Sequence, residues 1–253
     1  MTRAVTRAGT RTRVLVLGGT GEARELAARL TADGVPVVSS LAGRVSRPAL
    51  PEGDVRVGGF GGVDGLATYL GDETVTHVVD ATHPFADRIS ANAAAACALA
   101  GVPVVRLQRP GWTRHPLASS FSWVDSVDAA REAADGFVRP FVTTGRQQLQ
   151  SFSSWDDRFV LVRVVEPPGW DVPASWEVRQ ARGPFGLDDE LDLMRSRRVD
   201  VLLTKDSGGA LTEPKLRAAH RLGMEVVVVR RPPVPDGLEV VETVDEAHTW
   251  LDS

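Results

Sequence analysis

The chain has 253 residues, enough for one large domain or two small ones with a substantial core. It is 43% hydrophobic and 25% charged, as in an ordinary globular protein, and its net charge of -4 gives no general reason to bind nucleic acid or a membrane surface. Cys97 is the only cysteine, which excludes an internal disulfide or a cysteine zinc cluster; the five histidines lack metal-ligand spacing, and no metal is expected.

The N-terminal MTRAVTRAGTRTR is basic, but the following VLVLGG is too short for a signal-peptide core, so residues 1–12 read as a flexible tail. No run reaches the roughly 20 apolar residues of a membrane span, and a cytoplasmic protein is expected. Apolar runs then alternate with helical patterns. Strands are expected near 13–17, 36–40, 54–57, 75–79 and 103–107, with helices near 22–32, 63–70 and 85–100. The last helix is expected to open at Pro84, whose missing N–H costs nothing in a first turn, and to present Phe85, Ile89, Ala93, Ala96 and Ala100 on one face.

RPGWTRHPLASS (109–120) breaks the rhythm and reads as a linker. Beyond it, strands are expected near 121–124, 138–143, 159–164, 177–181, 199–203 and 225–229. Helices are expected near 126–134, 146–152, 186–196, 211–221 and 244–252, with RRPPVPDG (230–237) a loop before the last. Strand–helix alternation implies an α/β fold with parallel sheets. The expectation is two Rossmann-like domains, 13–115 and 116–253, facing each other across an interdomain cleft.

Ligands of open parallel sheets bind beyond the carboxyl ends of the strands. Four such ends carry polar clusters: LVLGGTGE (15–22), VVDATHPF (78–85), FVTTGRQQ (141–148) and VLLTKDSGG (201–209). In the first, Gly18, Gly19 and Gly21 flank Thr20 but do not form G-x-G-x-x-G; Arg24 falls where a third glycine would be. Such a loop can bring backbone N–H groups to a ligand. Glu22 suits the helix dipole but would repel a pyrophosphate in direct contact. The loop is thus either a plain glycine turn or one that meets the ribose or nicotinamide portion of a nucleotide. In the third cluster, Thr143, Thr144, Gly145 and Arg146 offer hydroxyls, close backbone approach and a forked cation to an anion; a threonine cap beside a solvated arginine is the plainer alternative.

The second strand ends in Val37-Val38-Ser39-Ser40-Leu41-Ala42-Gly43-Arg44, without the acid that holds an NAD ribose, which favours NADP if a nucleotide binds. An arginine contact to the extra phosphate is worth about 1.5–3 kcal/mol, and Arg44 and Arg146 are the candidates for it. Asp80 and Lys205 stand at strand ends beside apolar neighbours, with Asp206 next to the lysine. Burial would shift their pKa values in opposite directions and mutual proximity would oppose both shifts. They could relay a proton or form an ordinary interdomain salt bridge. His83 could cap the helix that follows or meet a ligand. Only Lys205 and Lys215 are lysine among 29 basic residues, so each lysine is notable.

Taken together, GGTGEARELA, SLAGR, DATHPFA, TTGRQ and LLTKDSGG with the following TEPKLRAA resemble the precorrin-6A reductases of cobalamin biosynthesis. The resemblance runs from about residue 13 to the end. It implies NADPH-dependent reduction of a ring carbon–carbon double bond of precorrin-6A to give precorrin-6B, in two Rossmann-like domains with the ligands between them. By resemblance, Gly18–Glu22, Ser40–Arg44 and Thr143–Arg146 line the cofactor site. Asp80, His83, Lys205, Asp206, Ser207 and Gly208 lie around the substrate and the nicotinamide. Lys205 or Asp80 is the expected proton donor. Arg106, Arg109, Arg114 and Arg182 are candidates for the carboxylates of the tetrapyrrole, and transient contact with other enzymes of the corrin pathway is conceivable.

Three other readings compete with this one. They are a cobalt-precorrin-6A reductase, a non-catalytic two-domain nucleotide-binding protein and a methyltransferase of the same pathway. The arginine-rich chain favours the cobalt-free substrate, and the strand end without an acid speaks against a methyltransferase.

Overall fold

A computed structural model describes residues 12–43 and 50–252. Arg44 lies outside them. The chain divides into two compact units. One runs to Gln108 and resumes at Val234; the other spans Arg109–Pro233. The unit boundary therefore falls at 108/109 rather than at 115/116, and the chain from Val234 onward returns to the first unit instead of closing the second.

The first unit contains β1 (Val14–Leu17), α1 (Gly21–Ala32), β2 (Val37–Leu41), β3 (Asp54–Val57), α2 (Val63–Asp72), β4 (His77–Asp80), α3 (Asp87–Ala100) and β5 (Val104–Leu107). Near the C-terminus it adds β12 (Glu239–Val241) and α7 (Val244–Leu251). Its sheet is parallel, in the order β12-β5-β4-β1-β2-β3. Leu26, Ala27 and Leu30 of α1 join Val244 and Ala247 of α7 on one side of the sheet. Leu66 and Leu70 of α2 join Ala93 and Ala96 of α3 on the other. Completely burying a leucine such as Leu26 contributes about 1.5–3 kcal/mol.

Helix α3 begins at Asp87, three residues after Pro84. Pro84 sits instead in a buried turn, where the His83 carbonyl accepts from Ala86 N–H at 2.8 Å. The buried face of α3 is Ser90, Ala93, Ala96 and Cys97, so Ala100 is exposed, contrary to expectation. Burial pushes the Cys97 thiol up to about 12, which leaves it a small core residue rather than a nucleophile.

The second unit contains β6 (Ser122–Val124), α4 (Val127–Ala133), β7 (Pro140–Val142), β8 (Val160–Val164), β9 (Trp176–Gln180), α5 (Leu187–Arg197), β10 (Val201–Lys205), α6 (Pro214–Arg221) and β11 (Glu225–Val229). Its sheet is also parallel, in the order β6-β11-β10-β7-β8-β9. Leu191 and Met194 of α5 and Leu216, Ala218 and Ala219 of α6 pack with Phe141, Leu161, Leu202 and Val226. Residues 146–152 form a 3-10 helix rather than an α-helix. Helix α6 opens three residues later than expected, with Pro214 in its first turn.

The segment expected to be a linker is built into the second unit. Trp112 is 3% exposed within the core of that unit. Short 3-10 turns at Trp112–Arg114 and Ala118–Ser120 satisfy the backbone around its prolines.

Candidate functional site

Each sheet reverses its winding at one point. In the first unit β1 leads through α1 to β2 on one side, while β4 leads through α3 to β5 on the other. In the second, β7 leads to β8 and β10 leads through α6 to β11 in the opposite direction. The crevice of an open α/β sheet lies at such a switch point, outside the carboxyl ends of the two strands. The four polar clusters stand at these ends, two in each unit, after β1 and β4 and after β7 and β10.

At the end of β1, the Gly18 N–H donates to the Ser40 carbonyl at 2.9 Å, tying the loop to β2. A Cβ at Gly18 would lie 3.3 Å from Leu41 Cδ2. Gly19 has φ +118° with open space where a Cβ would stand, so the peptide is presented outward. Thr20 caps α1 by accepting from Ala23 N–H at 3.1 Å, and its hydroxyl donates to the Ala81 carbonyl at 2.7 Å. One side chain thereby fixes the loops after β1 and β4 to each other. Gly21 starts α1, and Glu22 lies half-buried in the first turn.

Asp80 is fully buried at the end of β4. One carboxylate oxygen accepts from Thr82 N–H at 3.1 Å and from the Thr82 hydroxyl at 2.6 Å. The other pairs with Arg106, which also donates to Ser90. The Arg106 Nε donates to Gln108 at 2.8 Å, so this 2% exposed arginine is committed inside the first unit rather than offered to a substrate carboxylate. His83 is exposed, and its Nδ1 accepts from Phe85 N–H at 3.2 Å, which shapes the turn before α3.

Ser40, at the end of β2, is 7% exposed. Its hydroxyl accepts from Arg56 of β3 at 2.8 Å. The same guanidinium donates to the Gly58 and Gly59 carbonyls, each at 3.1 Å, and lies 3.8 Å above the Phe60 ring. Arg56 was not legible as a site residue, because DVRV reads as an ordinary exposed strand.

In the second unit, Thr143 follows β7; its hydroxyl donates to the Leu203 carbonyl at 3.0 Å and accepts from Lys215 Nζ at 3.2 Å. Thr144 is 3% exposed, and its hydroxyl has no partner among the described residues. Gly145 takes φ +89°, again with open space at its Cβ position. Arg146 reaches the Pro167 carbonyl at 3.4 Å.

Lys205 ends β10, half-buried. The 3% exposed Asp206 accepts from Trp112 N–H at 2.6 Å, and its other oxygen lies 3.5 Å from Arg231 Nε. The Ser207 carbonyl accepts from Arg109 Nε at 2.8 Å. A Cβ on Gly208, φ +64°, would stand 2.2 Å from the Pro110 carbonyl oxygen, so the close approach of the 109–112 segment requires glycine there. RPGW thus braces the loop that follows Lys205. Arg114 and Arg182 are exposed.

Comparison with known proteins shows the family. Residues 13–252 match the family described as precorrin-6x reductase CbiJ/CobK. The precorrin-6A reductase of Rhodococcus erythropolis is 48% identical over 241 residues, covering 95% of this chain and 97% of that protein. The cobalt-precorrin-6A reductase of Salmonella typhimurium is 30% identical, with 91% of this chain and 92% of that one covered. A solved structure of CobK precorrin-6A reductase superimposes with a TM-score of 0.87 at 41% identity, covering 95% of this chain and 96% of that one. Identity at this level over nearly the whole length, on the same doubly wound scaffold, places the chain in the precorrin-6x reductase family.

Proposed function

We propose that this reductase uses NADPH to reduce one carbon–carbon double bond of precorrin-6A, giving precorrin-6B. The higher identity to the precorrin-6A relative than to the cobalt-precorrin-6A relative supports the cobalt-free substrate. The observation that carries the cofactor reading is the end of β2. An acid is missing there, and Ser40 is held instead by an arginine fixed by two carbonyls and a ring. That is a pre-organised contact for a ribose 2′-phosphate.

The nicotinamide supplies the hydride when the cofactor is bound. Gly18–Gly21 present backbone toward the ribose and nicotinamide portion, where Glu22 is tolerable. The Thr143–Arg146 loop, with its unpartnered Thr144 hydroxyl, suits a phosphate. Lys205 holds the proton for the carbon next to the hydride acceptor. Asp80 and Asp206 fix the loops: both oxygens of Asp80 accept hydrogen bonds, and Asp206 accepts from Trp112 N–H and lies beside Arg231. Arg114 and Arg182 take substrate carboxylates.

The 2′-phosphate assignment has a direct test. Arg56→Ala should raise the Kd for NADPH by about 10- to 150-fold, the value of one arginine–phosphate contact. NADH binding should change by less than about threefold, since it lacks that phosphate. Fluorescence titration of both cofactors measures this. Equal weakening of the two would mean that Arg56 only supports the β2–β3 edge.

A further inference from the structure

Lys215 lies in the first turn of α6, 4% exposed, in a setting unusual for lysine. Its Nζ donates to the Thr143 hydroxyl at 3.2 Å and lies 5.3 Å from the centre of the Trp112 ring. Thr143 relays that contact to the Leu203 carbonyl, so the lysine, the end of β7 and β10 form one chain of hydrogen bonds. The charged groups facing it are Arg163 from β8 and Glu190 from α5, which are paired with each other at 2.6 Å. Strand β11 meets α6 with the apolar Val226 and Val228. One Glu190 oxygen is buried without a partner among the described residues.

We propose that Lys215 is a positioning residue for the Thr143–Arg146 loop, holding Thr143 in place and lending the loop a positive charge from below when an anionic ligand binds. The proposal rests on reading that loop as the seat of a cofactor phosphate. Burial lowers the ammonium to about 7, with Arg163 adding to the lowering and Glu190 opposing it. Without ligand the amine is thus half-charged near neutrality. A phosphate on the loop favours the charged form, so binding takes up a proton. By linkage, affinity is highest below the free-state midpoint, falls as pH rises from there to the ligand-bound midpoint, and is flat above it. A midpoint raised by one unit corresponds to an affinity loss of about tenfold across that window.

The chain's two lysines make a direct measurement possible. Protein labelled with 13C at lysine Cε gives two signals, and Lys205→Arg identifies which belongs to Lys215. The expected result is a Lys215 midpoint near neutrality that rises by about one unit on saturation with NADPH. The NADPH Kd should rise about tenfold between pH 6 and 8.5, and that pH dependence should vanish in Lys215→Met. The NMR readout uses the unaltered Lys215, so it stands even if the methionine variant folds poorly. A Lys215 midpoint unmoved by bound NADPH overturns the coupling while leaving the cofactor reading intact. Failure of NADPH to bind at all overturns both.

Discussion

Replacing Lys205 with methionine should lower kcat by about 10²- to 10⁴-fold, the usual contribution of a positioned general acid. The Kd for NADPH should stay within about threefold of its original value. The reaction needs a proton at the carbon adjacent to the one that receives hydride, and Lys205 or Asp80 was expected to deliver it, with Asp206 beside the lysine. Asp80 and Asp206 are both almost fully enclosed, each with its two oxygens turned to protein partners. Carboxylates engaged by the protein in that way are not offered to a substrate carbon. Lys205 stands at the carboxyl end of β10, beside the switch point, immediately before a loop braced through Asp206, Arg109 and Arg231. Stopped-flow measurement of single-turnover NADPH oxidation separates the chemical step from binding. Loss of cofactor affinity in proportion to turnover would move Lys205 to the cofactor, and unchanged turnover would remove it from the chemistry.

The buried pair of Asp80 and Arg106 predicts a large effect on stability. Arg106→Leu should destabilise the first unit by about 3–5 kcal/mol, because it leaves a fully buried carboxylate without its cation. With a urea slope of about 2 kcal/mol/M, the midpoint of that unit should fall by about 1.5–2.5 M. The double variant Asp80→Asn with Arg106→Leu should recover a good part of the loss, since no charge is then left buried. Urea titration of the single and double variants measures this. A loss below about 1 kcal/mol in the single variant would mean that Asp80 reaches solvent.

Much of the fold is legible because the central strands are buried runs rich in valine and leucine, several of them ending in polar clusters. VLVL, HVVD, VLLTK and EVVVV each declare a parallel strand within a few residues of its true bounds. What could not be read depends on tertiary partners. Glu239–Val241 is three residues long and mostly exposed, and nothing in EVV says that it pairs with β5 across a separation of more than a hundred residues. The linker reading failed because prolines and a glycine mark irregular backbone whether or not it is packed. Here Trp112 and the Asp206 contact hold it down.

In the candidate site, the clusters themselves were visible, but the partners that give them meaning were not. Arg106 sits in a strand and looks like a surface arginine until the fold sets it against Asp80. Arg56 is equally plain in DVRV. Lys215 carried one faint signal, the rarity of lysine in this chain, although PKLRAAHR alone reads as an amphipathic surface helix.

The central claim, NADPH-dependent reduction of precorrin-6A, is tested most directly by titrating the protein with NADPH and with NADH, then adding precorrin-6A and following cofactor absorbance. The predicted result is NADPH bound at least about tenfold tighter than NADH, as one arginine–phosphate contact requires, with oxidation only once precorrin-6A is present. Binding of neither cofactor, or bound NADPH that stays reduced in the presence of precorrin-6A, would contradict it.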